Sequence, residues 1–207
     1  MGAAMIRQKG ICRVRNNADA GFSLIEVIVS MCVLTVGLVS LLGVFGLAMA
    51  TTQTSQQDMI AKQLANEAYE SIITARNTAQ ITFDDIQNVG STNCPVTNNS
   101  PCGLFLTGAQ QIYSGGTDGI YGTADDATSA LRQTLHDPGP DGIFGTADDS
   151  YIPLTGYQRT IAIGPVKNAQ NQVESSLRSV TITIQYKTPQ MNTQKTYVLN
   201  SYISQFN

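Results

Sequence analysis

The chain has 207 residues, 42% of them hydrophobic and 13% charged, with a net charge of −3 and a single histidine. That length suits one domain of modest size. One histidine leaves little material for imidazole-based metal or acid–base chemistry, and the absence of a basic cluster beyond the N-terminal segment argues against a nucleic-acid partner.

Residues 1–21 are short and basic, with Arg7, Lys9, Arg13 and Arg15. From Phe22 to Ala50 the sequence runs for 29 residues with one charge, Glu26. At ~1.5 Å per residue such a helix reaches ~43 Å, more than the ~30 Å of a bilayer's hydrocarbon core. The basic flank places the N-terminal side on the cytoplasmic face. Ala48-Met49-Ala50 offers a site of the kind cut in secretory signals. The apolar run, however, is about twice the ~7–15 residues of such a signal's core, and it holds a carboxylate. A plain anchor accounts for the length and the flank but not for Glu26. An ionisable group costs ~2.5–3.5 kcal/mol at the centre of a membrane helix and less toward its end.

The segment Gly21-Phe22-Ser23-Leu24-Ile25-Glu26-Val27 resembles the class III signal of type IV prepilins and the related pseudopilins. The resemblance implies cleavage after Gly21 and methylation of the new terminal amine on Phe22, both by a prepilin peptidase/N-methylase. It further implies that Glu26 pairs with the terminal amine of a neighbouring subunit. The physical reason is that a carboxylate buried in an apolar assembly needs a cationic partner, and cleavage creates one. Taking the four basic residues and Asp19 of 1–21 from totals of 12 and 15 leaves eight basic and fourteen acidic residues, a net charge of −6 for 22–207.

Gly37, Gly43 and Gly46 weaken the apolar helix by up to ~1 kcal/mol each, or let backbones approach closely in an assembly; both readings stand. Residues 51–78 contain neither glycine nor proline. Ile60, Leu64, Ala68 and Ile72 recur every fourth residue, flanked by Met59 and Ile73, while Asp58, Lys62, Asn66, Glu67 and Glu70 lie mostly off the stripe. That spacing predicts an amphipathic helix with one buried face, continuing the apolar one.

Residues 79–156 read as loops, with Phe83, Ile86 and Val89 as one short element. Cys94 and Cys102 enclose a short loop rich in Pro and Asn. Free thiols and half a zinc site are the alternatives to a disulfide. The disulfide is expected for a domain outside the cytoplasm, where it would contribute roughly 2–3 kcal/mol. Within the same region, residues 117–126 and 140–149 share the pattern Asp-Gly-Ile-aromatic-Gly-Thr-Ala-Asp-Asp at an offset of 23. Asp118, Asp125 and Asp126 in the first copy, and Asp141, Asp148 and Asp149 in the second, offer oxygen ligands suited to Ca²⁺. The competing reading is a pair of Asp-Gly turns with solvated acids, anchored by Tyr121 and Phe144.

Residues 157–207 read as an antiparallel sheet. Tyr157 to Ile163 is β-rich, and Val180, Ile182, Ile184 and Tyr186 alternate with polar residues across Arg178 to Lys187. Lys195 to Ile203 forms a third strand with Tyr197, Leu199 and Ile203 on one face. Gly164–Ser176 and Thr188–Gln194 serve as connections.

The segments are therefore 1–21 (a cleaved leader), 22–50 (membrane and assembly helix), 51–78 (amphipathic helix), 79–156 (a variable loop region) and 157–207 (sheet). The fold class is α+β, with the long N-terminal helix packed on the C-terminal antiparallel β-sheet, the layout the pilin resemblance implies. No P-loop, nucleophile elbow or zinc-protease motif occurs, and His136 lies in a Pro- and Gly-rich stretch, so an enzyme is not expected. The resemblance implies a type IV pilin, and the acidic repeats with the Ser-Leu-Ile-Glu-Val-Ile-Val start point to a minor one. Such a subunit is processed at the inner membrane, crosses it once with its C-terminal domain in the periplasm, and joins other pilin subunits in a pilus. A pseudopilin of a type II secretion or competence system is the alternative within the family. A calcium-dependent adhesion module at a filament tip is the alternative outside it.

Overall fold

A computed structural model describes residues 23–91, 103–126, 131–188 and 193–206. Gly21, Phe22, Cys94 and Cys102 lie outside these residues, and with them the expected processing site and the expected disulfide. One helix, α1, spans Leu24–Asn77, and the chain divides at Ala48/Met49 into two compact units.

In the first unit α1 is apolar on every side. Its best window has a mean hydropathy of 2.6 and contains no buried residue, so the helix is long and apolar enough to span a membrane. The few hydroxyls inside it are internally satisfied. Ser30 and Ser40 donate to the carbonyls of Glu26 and Val36 at 2.7 and 2.8 Å, and Thr35 donates to that of Cys32 at 2.9 Å. These bonds let Ser and Thr sit in an apolar helix without an unpaired polar group. α1 passes through Gly37, Gly43 and Gly46 unbroken.

In the second unit the remainder of α1 buries one face. Leu64, Ala68 and Ile72 lie on it as the spacing predicts, whereas Ile60 is only half-buried and Met59 is exposed. Ala61, Ala65 and Ala75 complete the ridge and are almost fully covered. Four of the six buried positions of α1 are alanines, and they share one core cluster with Ile182, Ile184 and Ile161 of the sheet. The helix ends through Ala79, whose φ of 58° turns the chain so that the Gln80 and Ile81 amides donate to the Ala75 carbonyl.

The main sheet has four antiparallel strands in the order β1 (Gln110–Gln111), β4 (Tyr157–Lys167), β5 (Val173–Lys187) and β6 (Gln194–Ser204). Register places Ile161 opposite Ile182 and Ile182 opposite Leu199, which joins the three strands' apolar residues on one face. Val180, Ile182, Ile184 and Tyr186 are all buried there, as the alternation predicts.

The expected connection Gly164–Ser176 is a correction. β4 runs on to Lys167 and β5 begins at Val173, leaving a tight turn at 168–172. The turn is built by Asn168, whose side-chain oxygen accepts the Gln170 and Gln172 amides at 3.0 and 2.9 Å, and by Asn171 at φ 62°. Pro165 is tolerated because it stands at a register shift between Pro165 and Val166.

Residues 79–156 are also more than loops. They supply β1 and a separate two-stranded ribbon, β2 (Thr134–Asp137) with β3 (Ser150–Pro153), and they close the core with Ile81, Ile86, Phe105, Ile112 and Ile120. Of the short element expected around Phe83, Ile86 is fully buried, Phe83 packs under the Arg178 guanidinium and Val89 is exposed. Beyond the two-residue β1, the edge of β4 is finished by a side chain. The Asn88 amide donates to the Ile161 carbonyl at 2.8 Å and accepts the Ile163 amide at 2.7 Å. It thereby satisfies backbone groups that a longer strand would otherwise pair.

Candidate functional site

The two acidic repeats fold alike, and most of each carboxylate's bonding is internal. In the first copy Asp118 Oδ1 accepts the Ile120 amide at 2.8 Å, and Asp126 Oδ2 accepts that of Gly122 at 2.6 Å. The second copy repeats both, Asp141 with Ile143 at 2.8 Å and Asp149 with Gly145 at 2.7 Å. The Thr123 hydroxyl donates to Asp125 Oδ1 at 2.6 Å, as the Thr146 hydroxyl does to Asp148 Oδ1 at 2.7 Å. Gly122 and Gly145 have φ of 88° and 91°, a backbone state that disfavours any side chain. Equal sequence thus produces equal local structure, with carboxylates acting as acceptors for the turn's own donors.

The surroundings differ. The first copy is seated on the domain. Ile120 is 2% exposed, and the Gln80 amide donates to the Asp118 carbonyl at 2.6 Å. The Gly122 carbonyl accepts the Leu106 amide at 2.8 Å, and the Tyr121 amide lies 3.4 Å from the Ser71 hydroxyl of α1. The buried Arg159 guanidinium stands 4.5 Å from the centre of the Tyr121 ring. The second copy projects from the ribbon with Ile143 61% and Phe144 63% exposed. Phe144 therefore does not anchor its loop to the core as expected; its ring stands edge-on to His136 at 5.0 Å. His136 stacks on Tyr151 and pairs with Asp149.

These environments set the acidities. Asp125 is held at about 2, chiefly by the Thr123 hydroxyl and further by the Thr117 hydroxyl and the Thr117 and Asp118 amides. Burial pushes Asp126 up, against the Gly116 and Gly122 amides and the Arg159 charge. Burial likewise lowers Arg159 and raises Tyr121. In the second copy the Thr146 hydroxyl lowers Asp148, and the Gly145 amide followed by His136 lowers Asp149. Pro140 stands where the first copy has Thr117, whose amide and hydroxyl both donate to Asp125, so Asp148 lacks those two donors.

One oxygen from each of Asp118, Asp125 and Asp126 lies within 4.8 Å of the others, a spacing compatible with a shared hard cation. Among the described residues no other group of three His, Cys, Asp or Glu side chains meets that geometry, and Asp141, Asp148 and Asp149 do not. Glu26 belongs to the first unit, exposed in the first turn of α1 among apolar side chains.

Sequence reasoning missed Arg159 as part of the repeat's seat. The signal was present, since strand alternation puts Arg159 on the same buried face as Tyr157 and Ile161. It also missed Asn88, for which no local pattern exists. Comparison with known proteins returned no matching family model, no similar curated protein and no similar solved structure.

Proposed function

We propose that this chain is a minor type IV pilin-like subunit, assembled through the exposed apolar part of α1. The observation that carries the reading is a solitary carboxylate, Glu26, in the first turn of α1, whose apolar part up to Ala48 is exposed throughout among the described residues, directly after the Gly21-Phe22 sequence. An isolated carboxylate there is unfavourable in lipid, and the terminal amine of a processed neighbour relieves it. On this reading the membrane helix first anchors the subunit in the inner membrane. It then packs against other pilin helices while the sheet domain stays on the outer side.

The test is mass spectrometry of the N-terminus of the membrane form. N-methylated Phe22 supports the proposal, and a terminus at Thr51 refutes it. A Glu26→Ala chain should be processed normally yet enter filaments poorly; normal entry contradicts the pairing role.

The Asp118/Asp125/Asp126 geometry favours one addition, that the first repeat binds Ca²⁺. Calcium added to the EGTA-treated protein should raise its melting temperature and shift the NMR signals of residues 117–126. No change in either leaves the loop a self-bonded turn.

A further inference from the structure

Each copy of the repeat sets its last carboxylate and its aromatic ring against a basic side chain from outside the loop. In the first copy Asp126 Oδ2 accepts the Gly122 amide, and the carboxylate lies in the field of the Arg159 guanidinium of β4, which also stands 4.5 Å from the centre of the Tyr121 ring. In the second, Asp149 Oδ2 accepts the Gly145 amide and pairs through that same oxygen with Nε2 of His136, a residue of β2. The His136 ring then meets Phe144 edge-on. Turn amide, carboxylate, base and aromatic ring thus recur in the same relation.

The two bases differ in kind. A guanidinium keeps its charge throughout the range in which proteins work, whereas an imidazole gains or loses its own between about pH 5 and 8. The first loop is also held by other means, with Ile120 in the core and bonds from Gln80 and Leu106. The second loop has Ile143 and Phe144 exposed, sits on a lone two-stranded ribbon and, among the described residues, has no ion pair besides that with His136.

The groups facing His136 come from three places. Tyr151 of β3 stacks on its ring at 4.4 Å, and the loop contributes Phe144 and Asp149. On its own strand the neighbour is Asp137, whose Oδ1 accepts the Gly139 amide at 3.1 Å. Asp141 and Asp148 are the loop's other charges, and residues 137–153 contain no lysine or arginine, so no second cation competes with His136 for Asp149. These carboxylates do not meet the shared-cation geometry of the first copy.

We infer that the second repeat is a pH-sensitive clasp, in which protonated His136 holds the loop closed on Asp149 and loss of that proton loosens the loop from its ribbon. The imidazolium gives one proton to water. The neutral ring keeps its stacking on Tyr151 but no longer opposes the Asp149 charge. Acidification therefore fixes the exposed Ile143–Phe144 tip in one geometry, and neutral to alkaline pH frees it. The first repeat, clasped by Arg159, stays closed across the same range.

The test is amide hydrogen exchange, read by NMR on the full-length protein in detergent with EGTA present, with each rate divided by the intrinsic rate at the same pH. Gly145 and Gly122 are equivalent amides, so the second is the internal control. Protection of Gly145 should fall about fivefold from about pH 5.5 to about pH 8, the scale of one exposed ion pair, while that of Gly122 stays constant. His136→Arg should keep Gly145 protected at both ends of the range. His136→Gln should leave it weakly protected at both, and it carries the test if arginine does not fit. Equal protection of Gly145 at the two ends overturns the inference, as does a fall shared by Gly122 or one that survives in His136→Gln.

Discussion

Ile120 and Ile143 occupy the same place in two copies of one loop, and truncating each in turn separates local structure from tertiary seating. Ile120→Ala removes a side chain that is 2% exposed and packed in the main core, so both the transfer loss and the cavity left behind count. Such truncations cost about 2–5 kcal/mol. Ile143→Ala removes a side chain that is 61% exposed, where about 0.5 kcal/mol or less is at stake. With about 2–4 °C of melting temperature per kcal/mol for a chain of this size, the first variant should melt about 4–20 °C lower and the second within about 2 °C of the parent. The assay is thermal unfolding of the full-length protein in detergent, followed by near-ultraviolet circular dichroism, which reports the packed tyrosines of the sheet domain. Equal losses at the two positions would refute the reasoning, because they would mean that the loops are equally buried or that the Ile120 site collapses without cost.

Other outcomes follow from the same geometry. Gly122→Ala and Gly145→Ala both meet a positive φ, worth about 1–2 kcal/mol, but a Cβ at Gly122 would also come within 2.6 Å of Ile161 Cδ1 while none obstructs Gly145. Urea unfolding should therefore show the larger loss for Gly122→Ala. Asp125, held at about 2 against 3.8 when unfolded, contributes stability that is present above pH ~4 and lost as pH falls toward 2. The contribution is about 1 kcal/mol once solvent screening of the loop is allowed for. Asp126, pushed up by burial, works the other way and favours the folded state as it gains its proton. An Asp125→Asn chain should thus lose less stability than the parent between pH 4 and pH 2 in urea titrations. Tyr186→Phe removes a hydroxyl that donates to Asp58, and should cost about 1–2 kcal/mol at pH 7. Because Lys195 Nζ also reaches the same Asp58 oxygen at 3.2 Å and can satisfy it when the hydroxyl is gone, that loss should grow in Lys195→Met, which a double-mutant cycle measures.

By itself the sequence determined the elements whose burial repeats at a local period. The 3.6-residue stripe through Leu64, Ala68 and Ile72 and the alternation from Val180 to Tyr186 each record one covered face, so both were legible. Alanines 61, 65 and 75 were not, because alanine is as common on surfaces as in cores and only the nearness of the sheet selects it. The repeat was legible as two turns, since its hydrogen bonds lie within the loop. Only the tertiary structure decided that one copy is core and the other a projection. That distinction depends on Arg159, Ile161 and Ser71 lying against Tyr121 and Gly122, and on Asn88 closing the β4 edge at Ile161, contacts between residues 37 or more positions apart. Segments of one pattern carry the same local instructions. What covers them is set by where the rest of the chain is held, and no local pattern encodes that.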